Sequence, residues 1–168
     1  MKAKGRPAAT EPLPHAPVGM ILGLLDHLRD APAGREDLYK LGGPLGLKLD
    51  DLLPVTEASK RLGLVTIASG DIELTDEGKA LAAAEEPARK KRLTRRLQGL
   101  PLIAEIRKAV EKGPGHRAAR QPFLDRLGEH FSAPEAERQL QTALDWARYG
   151  EVFDLDPETE EFFLPPRD

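Results

Sequence analysis

Residues Leu47–Ala84 read LKLDDLLPVTEASKRLGLVTIASGDIELTDEGKALAAA, and the order of elements in this stretch decides the fold. Leu52, Leu53, Val55, Ala58 and Leu62 recur at the spacing of a buried helical face. A helix is predicted from about Asp50 to Leu62, with Asp50 or Asp51 as N-cap and Pro54 in or just after the first turn, where a missing N–H does least harm. Gly63 suits the position that ends it. Leu64-Val-Thr-Ile67 and Ile72-Glu-Leu74 flank Ser69-Gly70-Asp71, the pattern of a tight hairpin. Thr75 then caps a further helix.

Upstream, Ile21, Leu24, Leu25 and Leu28 mark a first helix that Pro32 and Gly34 end, and Arg35–Leu41 is predicted as a short second helix. Helix, helix, helix, hairpin, helix is the order of a winged helix. The order recurs downstream. Leu102, Ile103, Ile106 and Val110 mark one helix, and Phe123, Leu124, Leu127 and Phe131 a second. Ser132-Ala-Pro-Glu135 is a capping box opening a third, with Leu140, Ala143, Leu144 and Ala147 as its apolar positions. A second hairpin follows around Asp156-Pro-Glu-Thr159. The expected fold is mainly α with short β-hairpins. Tandem winged-helix-like (winged helix-turn-helix) units span 18–86 and 102–168, joined by a basic helical linker over 87–101. A flexible Pro/Ala leader occupies 1–17. The repeat is one of element order, without convincing residue-level identity.

Composition narrows the chemistry. Of 168 residues, 40% are hydrophobic but only 5% aromatic, so the core is built chiefly from Leu, Ala, Val and Ile. The absence of Cys excludes disulfides and thiolate metal sites. The apolar run Val18–Leu25 is too short to span a bilayer, and Met1–Ala9 lacks the apolar core of a signal peptide. A soluble, cytoplasmic protein is expected.

The net charge of −3 conceals a polarity. Pro87–Phe131 holds 12 Lys/Arg against 4 Asp/Glu, and Ser132–Asp168 holds 3 against 10. These segments could attract each other in one molecule, pair reciprocally in a homo-oligomer, or face separate partners.

No catalytic constellation is visible. There is no Gly-x-x-x-x-Gly-Lys-Ser/Thr and no Gly-x-Gly-x-x-Gly. His15, His27, His116 and His130 show no metal-ligand spacing. No catalytic residue, cofactor or metal is therefore assigned. Two clusters are candidate interaction residues instead. Arg89, Lys90, Lys91, Arg92, Arg95 and Arg96 could hold phosphates. No aromatic residue interleaves them, which favours a solvated helix paired with the acidic C-terminal unit, or a protein contact. Trp146, Arg148 and Tyr149 read either as core packing, with Arg148 bridging to a carboxylate of the second hairpin, or as an exposed interface anchor.

The charge of the two third helices bears on partners. A groove-reading helix presents Arg, Lys, Asn, Gln, Ser or Thr to DNA. Here Asp50, Asp51 and Glu57 precede Lys60 and Arg61, and Glu135, Glu137 and Asp145 stand against Arg138 and Arg148. Acids at a helix start favour its dipole but repel phosphates. Protein contact is the simpler expectation, with nucleic acid the weaker one.

The stretches Arg35-Glu-Asp-Leu-Tyr-Lys-Leu41, Leu49-Asp-Asp-Leu-Leu-Pro54, Gly70-Asp-Ile-Glu-Leu-Thr75, His130-Phe-Ser132, Glu135-Ala-Glu-Arg-Gln-Leu140 and Trp146-Ala-Arg-Tyr149 carry a resemblance. The chain resembles the AAA-associated C-terminal domain of ATP-binding subunits of nitrate/sulfonate/taurine-type ABC transporters, nearly throughout Val18–Leu155. Ala147 and Gly150 depart from the family's usual residues. The larger departure is that the ATPase domain that normally precedes it is absent here, and the Pro-rich leader is taken to correspond to the joining linker. The resemblance implies a non-catalytic accessory or regulatory module acting in trans on an ABC transporter ATP-binding subunit, touching the membrane only through the transporter. A winged-helix transcriptional regulator is the alternative. A sensor of a small anion is a third reading.

Overall fold

The computed structural model describes residues 11–166, and they are mainly helical with two small antiparallel sheets. They divide into two compact units. The first is Pro14–Arg96. The second is Leu97–Asp168 together with Leu13 from the leader.

In the first unit, α1 (Val18–Asp30) buries Ile21, Leu24, Leu25 and Leu28, the set its periodicity predicts. A tight turn at Pro32–Gly34 leads into β1 (Arg35–Asp37). This corrects the expectation of a helix over Arg35–Leu41. The first three of those residues form a strand, and only Leu38–Lys40 coil into a single 3-10 turn. The reason lies outside the segment. β3 (Asp71–Leu74) offers β1 a free edge, and Arg35 lies opposite Glu73, a favourable cross-strand charge pair.

A one-turn helix α2 (Gly42–Leu45) precedes α3 (Leu49–Arg61), and β2 (Val65–Ala68) completes a sheet of order β1-β3-β2. α4 (Asp76–Ala83) starts at Thr75, whose hydroxyl accepts from the Gly78 N–H at 3.0 Å and donates to the Gly63 carbonyl at 2.7 Å. Gly78 has no alternative there: a Cβ would sit 2.0 Å from the Leu64 carbonyl oxygen. α5 (Ala88–Gln98) ends the unit's share of the chain. Residues 87–96 fall within the first compact unit, and Leu97 begins the second.

In the second unit, α6 (Pro101–Lys112) buries Leu102, Ile103, Ile106 and Val110. A turn at Pro114–His116 delivers β4 (Arg117–Ala119), a strand with no counterpart in the expected elements. α7 (Gln121–Gly128) and α8 (Ala133–Tyr149) follow, then β5 (Asp154–Asp156) and β6 (Glu161–Phe163), in a sheet of order β4-β6-β5. The Ser132 hydroxyl accepts from the Glu135 N–H at 3.3 Å, the N-terminal half of the predicted capping box. Phe162 packs edge-on against both Phe123 and Phe153, with ring centroids at 6.0 and 5.2 Å.

The units share an element order of helix, turn, strand, helix, helix, hairpin, and the same sheet order. Aligning them by element reveals a residue-level match that the bare sequence hides. Pro32-Ala-Gly-Arg35 and Pro114-Gly-His-Arg117 occupy the same place. Each contains two successive left-handed residues: Ala33 and Gly34 at φ 58° and 65°, Gly115 and His116 at φ 65° and 57°. Gly113 is equally crowded, since a Cβ would meet the Arg117 carbonyl oxygen at 1.9 Å.

Candidate protein interface

α3 is the element whose surface is least explained by its own unit. Leu52, Val55 and Ala58 are almost fully buried. Leu49 and Leu53 are 49% and 44% exposed. Leu53 was expected in the buried face. One residue is a 100° step on a helix, so Leu53 cannot share the face of Leu52 and Val55. It falls instead on a stripe with Leu49 and Glu57 at four-residue spacing.

Asp50, Asp51 and Glu57 are exposed around these leucines. The cap position belongs to Lys48, without a side-chain cap, and Asp50 and Asp51 lie in the first turn. There their charge favours the helix dipole. Pro54 sits inside the helix, later than the first turn. The outward surface of α3 is therefore an apolar pair ringed by carboxylates, with Lys60 and Arg61 only in the last turn.

The basic cluster of α5 is largely committed within its own unit. Arg89 Nη2 lies 2.7 Å from Asp26 Oδ1 on α1 and also donates to the Leu22 carbonyl. Arg92 and Arg96 reach the Glu77 carboxylate on α4 at 3.4 and 3.9 Å. These partners differ from the expected acidic C-terminal unit. Leu93 is buried, and the face it presents to its own unit sets which carboxylates lie in reach. Lys90 is also engaged. Lys91 and Arg95, four residues apart, are exposed. The six cations therefore do not form one phosphate-facing surface.

The acids of the second unit meet arginines of the same unit. Arg117 reaches Asp156 at 3.2 Å and Glu161 at 3.4 Å, Arg120 pairs with Glu137, and Arg148 Nε meets Asp154 at 2.9 Å. Asp156 is held below its ordinary carboxylate value, first by the Glu158 backbone N–H and then by Arg117. Trp146 is 1% exposed, so within this fold it packs in the core, and Arg148 makes the hairpin bridge. Tyr149 is half-buried and engaged.

Sequence reasoning assigned no role to Leu49 and missed that of Leu53. The available signal was that Leu49, Leu52, Leu53, Val55, Ala58 and Leu62 together spread around more than half of the helix, wider than the one face a surface helix buries. Among the described residues, no group of three His, Asp or Glu side chains is placed to hold a metal ion, and no helix is long and apolar enough to cross a membrane.

Each unit is mainly helical with one small three-stranded antiparallel sheet. The profile of the C-terminal AAA-associated domain matches residues 39–156, and the chain belongs to that family. The matched span takes in α3, α5 and α8. The family is an accessory domain rather than an ATPase catalytic domain, and it implies association with ABC or AAA ATPases. No curated protein and no solved structure gives a match.

Proposed function

We propose that the chain is a non-catalytic, cytoplasmic accessory module that binds the ATP-binding subunit of a nitrate/sulfonate/taurine-type ABC transporter and adjusts its ATPase rate. The observation that carries this reading is the α3 surface. Leu49 and Leu53 stand exposed among Asp50, Asp51 and Glu57, inside the family's matched span. Exposed leucines set mainly among carboxylates, with Lys48 at the cap and Lys60 in the last turn, suit a protein surface with apolar pockets and a largely basic rim. They do not suit phosphates, which carboxylates repel.

Each unit is read as winged-helix-like, with β2-β3 and β5-β6 as the wings and α3 and α8 at the place of the reading helix. Support comes from the strand between the first two helices and from the shared sheet orders β1-β3-β2 and β4-β6-β5. A fold of this kind does not by itself fix a DNA partner. The test is capture of the cognate ATP-binding subunit by purified protein, followed by its ATPase rate with and without the module. Association with a changed rate is expected. Neither association nor a rate change would overturn the reading.

One observation favours the second reading, a DNA-binding regulator. Lys91 and Arg95 remain exposed on α5. That reading predicts duplex binding that weakens steeply with salt. Absence of binding to genomic fragments at low salt removes it.

A further inference from the structure

The leader holds an unusual contact. Leu13 lies in neither helix nor strand, yet it is 3% exposed. Both of its main-chain groups are held by one side chain 126 residues away. The Leu13 N–H donates to Gln139 Oε1 at 2.7 Å, and Gln139 Nε2 donates to the Leu13 carbonyl at 3.2 Å. The second Nε2 hydrogen goes to Glu135 Oε1 at 2.9 Å. With two acceptors on Nε2 and a donor on Oε1, the amide can stand in only one orientation. Gln139 itself is 1% exposed.

This is the hydrogen bonding by which proteins read extended peptides. A donor and an acceptor meet the main chain of one residue while its side chain is buried. The segment has the matching chemistry. Leu13 stands between Pro12 and Pro14. The following proline biases Leu13 to extended backbone. A proline-flanked segment keeps its main-chain groups open to an outside partner and loses little entropy on docking. Removing the segment would leave a buried amide unsatisfied, so the slot has a standing drive to be filled.

We propose that α8 carries a binding slot, centred on Gln139 and Glu135, for an extended segment with a leucine between prolines, and that residues 11–13 fill it in cis. The slot takes a segment of the same chemistry in trans when the leader is released. Because the leader is covalently attached, it competes at an effective concentration of about millimolar. A partner must therefore either bind tightly or meet a chain whose leader has been drawn away.

The test uses the full chain and a fluorescent peptide of the sequence Glu11–Ala16, followed by anisotropy. The Leu13→Asp variant releases the leader, and a cooperative melt monitored by circular dichroism certifies its fold. Saturable peptide binding to this variant is expected, with weaker binding to wild type. Adding Gln139→Leu to Leu13→Asp should weaken binding about tenfold or more, as loss of paired hydrogen bonds to a buried group does. A peptide carrying Asp in place of Leu should not bind.

A folded Leu13→Asp chain that ignores the peptide at millimolar concentration would overturn the proposal. Equal binding with and without Gln139 would do the same. If Leu13→Asp does not fold, Leu13→Ala decides by the same criteria. Its shortened side chain weakens the cis hold without burying a charge.

Discussion

α3 and α8 occupy the same place in their respective units, between a short helix and the hairpin, yet they are finished in opposite ways. α8 buries Ala136, Gln139, Leu140, Ala143, Leu144, Trp146 and Ala147, and beyond its first turn its exposed positions Glu137, Arg138, Gln141, Asp145 and Arg148 are all polar. Its Gln139 amide holds the Leu13 main chain. α3 buries a single face and leaves Leu49 and Leu53 bare. The same architecture thus yields one helix that is closed from within and one that is still open. Under the proposed function, the open one is the surface that meets the ATP-binding subunit.

The largest expected effect lies in the closed helix. Trp146→Ala should cost about 3–5 kcal/mol, as truncation of a fully buried aromatic does. Chemical denaturation followed by circular dichroism measures it. A loss near zero would mean that α8 is not the packed member of the pair.

Next come the two crowded glycines. Gly113→Ala and Gly78→Ala should each cost about 1–3 kcal/mol or more, because a new methyl must displace a backbone carbonyl. Comparable losses would sharpen the view that the two units are built by the same rules. Strong asymmetry in the midpoints would break it.

The N-caps rank below these. Thr75→Ala should cost about 1 kcal/mol, and Ser132→Ala no more. The Thr75 hydroxyl makes a second bond, to Gly63, and its bond to Gly78 is shorter than the 3.3 Å bond of Ser132. The reverse ranking would argue against the hydroxyl geometry at one of them.

Acid should act on both units, through Asp30 beside Arg29 in the first and Asp156 in the second. Asp156 titrates below its ordinary value in the folded chain. Its contribution is present above the unfolded carboxylate value and is lost as pH falls through the lower folded one. Asp156→Asn should therefore flatten the acid side of the second unit's stability profile. An unchanged slope would show that the Glu158 N–H and Arg117 do not set this titration.

Smallest for stability is the pair Leu49→Ser with Leu53→Ser, within about 0.5 kcal/mol for each exposed site. The same variant should lose capture of the ATP-binding subunit. A folded double variant that still binds would move the interface away from α3 without touching the family assignment.

How much of this could be read from residues depends on what each residue leans on. The long helices were legible because Ile21, Leu24, Leu25 and Leu28, or Leu140, Ala143, Leu144 and Ala147, announce one face by spacing alone. β1 was not, because Arg35-Glu-Asp37 has no alternation and is a strand only through its pairing with β3. Trp146 and Arg148 were legible only as two alternatives, core with a hairpin bridge or an exposed anchor, because burial of a lone Trp depends on tertiary packing. Gln139 was not, since its partner lies 126 residues upstream in a stretch whose prolines read as linker. The basic run of α5 was visible, but its carboxylate partners Asp26 and Glu77 depend on tertiary packing. The exposure of Leu49 and Leu53 was readable in principle by counting leucines against the width of a single face.

The Leu13–Gln139 contact also sets an order of events during synthesis. Residues of Pro14–Arg96 can close on one another once Arg96 has left the ribosome. Leu13 cannot take its place until α8 has emerged. At about 5–20 residues per second, the 126 residues between Leu13 and Gln139 separate their appearance by about 6–25 s. For that interval a leucine set between two prolines waits, first while Pro14–Arg96 is still being made and then after that unit can close, made early and seated late.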